Sequence, residues 1–144
     1  MTAYETIYSA FRDKVTDYDL VGMADTDEAS ILFGYMKSAI SKFGRICTKL
    51  EDRDDILNQF NNDLTDTEID IISELMVESW TKPKLYDSEK LRNSLSTKDY
   101  SFFSPANLLN QLRELNKQAK KNARAMMNEY SILNSEFATK NLRA

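Results

Sequence analysis

Apolar residues recur at helical spacing along four stretches of the chain, separated by polar gaps. Tyr4, Ile7, Tyr8, Phe11 and Val15 share one face, and Thr2 followed by Glu5 has the form of a capping box opening this first helix. Thr16 to Ala24, with Gly22 inside it, reads as a connection. Asp25 and Glu28 repeat the capping pattern for a second helix, in which Leu32, Phe33, Met36, Ala39, Ile40 and Phe43 line one side. Gly44 stands where that helix should end.

From Arg45 to Leu64 the helical period fades. Ile46, Thr48 and Leu50 alternate briefly before the acidic run Glu51, Asp52, Asp54 and Asp55, a pattern that predicts a short extended piece and an exposed loop. Phe60 and Leu64 should anchor the far end to the core, and could also flank a small hairpin or edge strand at Asn61, Asn62 and Asp63. Thr65 and Glu68 form a third capping box. Behind it, Ile69, Ile71, Ile72, Leu75, Met76, Val77 and Trp80 cover more than half of a helix, which places that helix at the centre of the fold. Pro83 should stop it, with a short helix from about Asp87 to Leu95 following.

Ser96 to Ser104 is a polar connector holding Tyr100, Phe102 and Phe103. These aromatics either tuck back onto the core or insert into a neighbouring subunit, since aromatic side chains are enriched at interface centres. Ser104 followed by Pro105 starts the last helix. Leu108, Leu112, Leu115, Ala119, Ala123, Met126, Tyr130 and Leu133 run along one side of it, and Arg113, Lys117, Lys120, Lys121 and Arg124 cluster opposite. A helix to about Leu133 would be about 43 Å long. A domain of this size is under roughly 40 Å across, so the helix must span it or project from it. Residues 134–144 are a polar tail with Phe137 and Leu142 as anchors, expected to order only on a partner.

The expected fold is all-α: a small helical bundle with a long C-terminal amphipathic helix, an extended acidic loop or short strand piece, and a flexible C-terminal tail. Residues 1–133 form one helical domain and 134–144 the tail. Composition agrees. The 144 residues suit one domain, 42% hydrophobic residues can build a core, and 3 Gly with 2 Pro are too few for a many-stranded meander. With no His and Cys47 alone, Cys/His zinc sites, His-based triads and an internal disulfide are excluded. No apolar run approaches the roughly 20 residues of a membrane span, and the N-terminus lacks the order of a signal peptide, which points to an intracellular product.

Charge is segregated. Residues 51–78 carry ten acidic residues against Arg53, whereas residues 79–104 sum to +2 and residues 105–133 to +3. The two regions are either solvated faces of opposite sign or complementary contacts, within one molecule or between copies. At a pI of 4.9, strong non-specific nucleic-acid affinity is not expected, though a local basic stripe could still face DNA.

No phosphate-binding glycine loop, nucleophile elbow or metalloprotease motif occurs. Asp52, Asp54 and Asp55, or Asp63, Asp66 and Asp70, are the candidates for a divalent ion, but neither set has the calcium-loop spacing. They read as loop and helix-start carboxylates. Cys47 has no adjacent base and reads as a small buried residue. Neither catalysis nor a cofactor is expected.

The segments YETIYSAFRDKVTDYD, LFGYMKSAI, NNDLTDTEIDIISELMVESW and STKDYSFFSPANLLNQLRELNKQAKK resemble the head-to-tail connector proteins, also called adaptors or neck proteins, of tailed phages and prophages of Gram-positive bacteria. The resemblance spans roughly residues 4–133. It implies a virion subunit made in the host cytoplasm that forms a ring, usually dodecameric, below the portal. Such a ring extends the DNA channel and receives the next neck or tail protein. It further implies that the far end of the last helix and residues 134–144, with Phe137 and Leu142, dock on the portal. Tyr100, Phe102 and Phe103 would anchor neighbouring subunits. Lys117, Lys120, Lys121 and Arg124 would pair with a neighbour's carboxylates or edge the channel in passing contact with double-stranded DNA. The alternatives are a DNA-binding regulator or packaging accessory protein, although no convincing helix-turn-helix is legible, and an assembly chaperone.

Overall fold

Four helices form where the three- and four-residue spacing of apolar positions is strongest. The computed structural model describes residues 1–15, 25–94 and 105–143, with side chains at 1–15, 29–86 and 110–134. A short strand β1 (Thr2–Ala3) leads into α1 (Tyr4–Val15), and α2 spans Asp25–Phe43. A 3-10 turn at Thr48–Glu51 precedes the short strands β2 (Arg53–Asp54) and β3 (Gln59–Phe60). The long helices α3 (Asp66–Ser94) and α4 (Pro105–Arg143) complete the chain. The bundle is the helical fold expected, with a three-stranded antiparallel sheet in the order β1-β3-β2 beside it.

α3 is the central helix and packs against α1, α2 and α4. Ile71, Ile72, Leu75, Met76, Val77 and Trp80 are all buried, as their wrap around the helix predicts. The Trp80 indole meets the edge of Phe11 from α1, with ring centroids 6.2 Å apart, and the Lys84 ammonium lies over it. Phe43 of α2 meets Tyr130 of α4 in the same way at 5.1 Å. Lys14 reaches across from α1 to Asp70 (2.6 Å) and Glu74 (2.9 Å) on α3. Partial burial pulls its ammonium down, but the two carboxylates outweigh that and hold it above the ordinary lysine range. α2 ends at Phe43 as expected, and a side chain at Gly44 would collide with the Ile40 carbonyl, its Cβ falling 2.6 Å from that oxygen.

Several local expectations are corrected. Thr2 does not cap α1. It lies in β1, where its Oγ1 donates to the Asn62 carbonyl and accepts the Leu64 N–H, satisfying groups that the packed loop withdraws from water. Thr48–Glu51 is helical rather than extended. The hairpin turns at residues 55–58, not at Asn61–Asp63. Asp54 Oδ1 accepts the N–H groups of Ile56 and Leu57, and Asn58 takes the left-handed conformation (φ 54°) that asparagine tolerates.

Pro83 does not end α3 but lies inside it. A proline there removes one N–H and crowds the carbonyl four residues earlier. Around that point Thr81 Oγ1 donates to the carbonyls of Val77 and Glu78, and Asn116 of α4 donates to Thr81 Oγ1 (2.7 Å) and to the Glu78 carbonyl (3.3 Å). Side chains from α3 and α4 thus brace the turn before Pro83, and α3 continues past it to Ser94. α4 begins at Pro105 as expected but runs past Leu133 to Arg143, through residues that the sequence assigned to a flexible tail. The stretch has no Gly or Pro to stop a helix. Leu91 lies in α3 with its side chain outside the described residues, and Leu95 lies outside them altogether.

Candidate functional site

The capping box at the start of α3 forms as its spacing predicts, and it anchors more than a helix end. Thr65 N–H donates to Glu68 Oε1 (2.8 Å), and Glu68 N–H donates to Thr65 Oγ1 (3.2 Å). Glu68 is buried to 1% exposure, and its other oxygen accepts from the Tyr130 hydroxyl of α4 (2.6 Å) and from Cys47 Sγ (3.2 Å). Lys49 Nζ reaches Oε1 at 3.2 Å. Burial alone would push the carboxyl up, but the Thr65 N–H and the donors from Tyr130, Cys47 and Lys49 hold it down to about 2. Burial, with the bond to Glu68, pushes the Cys47 thiol up to about 11, so it remains protonated at neutral pH. The hub ties α3, α4 and the turn after α2 together, and its chemistry is that of a clamp.

Beside it runs a groove of about 850 Å³ between α1, the start of α3 and the far part of α4, lined by Ile69, Met126, Tyr130 and Leu133 with Asp66 and Glu129 on its rim. Leu133 and its neighbour Ile132 are 57% and 59% exposed.

A second surface is the β2–β3 hairpin. Ile56 is 92% exposed and Leu57 64%, a bare apolar tip following Glu51, Asp52, Asp54 and Asp55. The tip is held in shape: Asp54 caps the turn, Asp52 accepts from Asn61 and Asp55 accepts from the Tyr4 hydroxyl. The Tyr4 bond keeps the Asp55 carboxyl below the usual carboxylate range. The sequence signal for this tip is an apolar pair between Asp55 and Asn58, inside a segment recognised only for its acidity.

The third surface is on α4. Lys117, Lys120, Lys121 and Arg124 are exposed, as the helical spacing predicts, and none has an ion-pair partner among the described residues. They line a shallow groove of about 400 Å³ with Ala125 and Asn128. A neighbouring groove of about 320 Å³ shares Lys120 and Arg124 and has Leu75, Ala123 and Met127 along it, with Lys42 and Glu78 paired at its edge. The opposite face of α4 is buried at Leu112, Asn116, Ala119 and Ala123. Asn116 is a polar member of that face that the apolar pattern does not announce.

Tyr100, Phe102 and Phe103 lie outside the described residues, and so do the side chains of Phe137 and Leu142 on the far part of α4. The acidic candidates Asp52, Asp54, Asp55, Asp63, Asp66 and Asp70 do not converge. Asp63 pairs with the N-terminal amine, Asp70 with Lys14, and among the described residues no cluster could hold a metal ion. No helix among the described residues is long and apolar enough to cross a membrane. Compared with known families, characterised proteins and solved structures, the chain matches none at a significant level.

Proposed function

We propose that the chain is a structural subunit of a phage head-to-tail connector, assembling with its own copies into a ring below the portal and presenting a platform to the next neck or tail protein. The observation that carries this reading is the presence of two exposed surfaces of opposite charge on different elements, the hairpin at residues 51–57 and the cationic face of α4. A subunit with two unlike, complementary patches associates head to tail, and that heterologous geometry closes rings. The length of α4 also supports it. Its 39 residues extend about 58 Å at 1.5 Å per residue, well beyond the roughly 40 Å of a domain of this size, leaving helix for a neighbour to grip. The resemblance of residues 4–133 to connector proteins supplies the portal as that neighbour, the virion as the location and a dodecamer as the expected ring.

A second reading is a DNA-binding regulator or packaging accessory protein. The cations on α4, which have no ion-pair partner among the described residues, favour it, since such a stripe can neutralise phosphates. Co-sedimentation with tail-less, DNA-filled heads of the encoding phage separates the two. Stoichiometric binding to heads, absent from heads without portal, is the connector result. No binding to heads, joined to salt-dependent retention on bare duplex, is the regulator result.

A further inference from the structure

We infer that the apolar tip Ile56–Leu57 of one copy seats on the Lys120–Arg124 ridge of α4 in a second copy, with the hairpin carboxylates facing the lysines. The inference deepens the head-to-tail part of the function proposed above and rests on it, but it does not depend on a portal. Two exposed aliphatic side chains at a turn are unfavourable in water, and here the Asp54 carboxylate fixes the turn by accepting the N–H groups of both residues. Such a tip needs an apolar floor.

Charge selects which floor. The larger groove at Met126 and Leu133 is rimmed by Asp66 and Glu129, like in sign to the hairpin, so approach there is repulsive. The groove beside Lys120 and Arg124 offers the half-buried Met127, packed over the buried Leu75 and Ala123, between those cations and the Lys42–Glu78 pair, and the lysine stems of the ridge add aliphatic wall. Residues 51–55 bring four carboxylates against the one guanidinium of Arg53, which pairs with Asp55. The cations at 117, 120, 121 and 124 have no ion-pair partner among the described residues of their own chain. An apolar knob flanked by carboxylates therefore faces a cationic ridge carrying lysine stems and Met127, and the two lie on different elements, so each copy can give one and receive the other.

The test uses two variants of the full chain whose changes are all at exposed positions, with circular dichroism confirming that each retains its helices. One carries Ile56→Ser and Leu57→Ser; the other carries Lys120→Glu, Lys121→Glu and Arg124→Glu. Sedimentation velocity at low ionic strength should show the wild-type chain self-associating, and each variant alone weakened by about tenfold or more. A one-to-one mixture should give dimers that go no further, because one intact knob meets one intact slot. The same dimers should dissociate at about 0.5 M salt, where charge attraction is screened. A wild-type chain that stays monomeric overturns both this contact and the self-assembly behind the proposed function. Association that persists in both variants overturns the contact alone and leaves the ring to another surface. Intact association in the Lys120, Lys121 and Arg124 variant, with lost retention on duplex DNA, overturns it in favour of a nucleic-acid face.

Discussion

Glu68 and Trp80 show how single residues tie this bundle together. The Glu68 carboxylate receives four kinds of donor from three parts of the chain, so Glu68→Ala leaves Tyr130 and the Thr65 N–H without their acceptor and should cost about 3 kcal/mol in chemical denaturation. Its pH signature has a definite sign. The folded-state pKa is depressed to about 2 from an ordinary 4.5, so the stabilisation is complete above about 4.5 and drains away as pH falls towards 2. Unfolding titrations of wild type and Glu68→Gln should therefore differ most near neutral pH and converge in acid; parallel curves would remove the charged carboxylate from the account. Trp80→Ala should cost roughly 3 to 5 kcal/mol, since the indole is fully buried against Phe11, and a much smaller loss of melting stability would mean that the site collapses on itself. At this scale the sequence was informative where a residue had one dominant partner rule. The Thr65–Glu68 box and the burial of Trp80 followed from spacing, but the convergence of Cys47 and Tyr130 on Glu68 joins residues far apart in the chain, which local pattern does not register.

At the scale of elements, α3 continues through Pro83 with its preceding turn tied down by Thr81 from α3 itself and by Asn116 from α4, which bond the carbonyls of Val77 and Glu78. A proline rule applied to α3 alone therefore predicts two helices where one forms. Asn116→Ala should lower stability by about 1 to 3 kcal/mol through the loss of buried hydrogen bonds, with amide exchange accelerating first around residues 78–86. An unchanged exchange pattern would show that the proline is accommodated without α4. The strand β1 was missed for a similar reason: Thr2 has the form of a cap, yet its hydroxyl serves Asn62 and Leu64 from another part of the chain. The hairpin tip is the remaining case. Its acidity was legible, while the bare apolar pair Ile56 and Leu57 becomes visible only when their exposure is known.

For the whole molecule, opposite charge on the hairpin and on α4, together with a helix longer than the domain is wide, is what the proposed ring subunit requires. Removing residues 134–144 should leave the melting of the bundle nearly unchanged, because the described core ends with Tyr130, and should weaken attachment to portal-bearing heads. Full attachment by the truncated chain would relieve the far end of α4 of a docking role. The segregation of charge that motivates this picture was fully legible in the sequence; which side chains lack a partner among the described residues was not, since that depends on where α4 lies against α3. The most direct measurement is imaging of the vertex of tail-less, DNA-filled heads before and after incubation with the purified chain. A connector subunit should add a new ring of density coaxial with the portal and below it, with successive copies in contact. Heads whose vertex gains no density at saturating protein would contradict it.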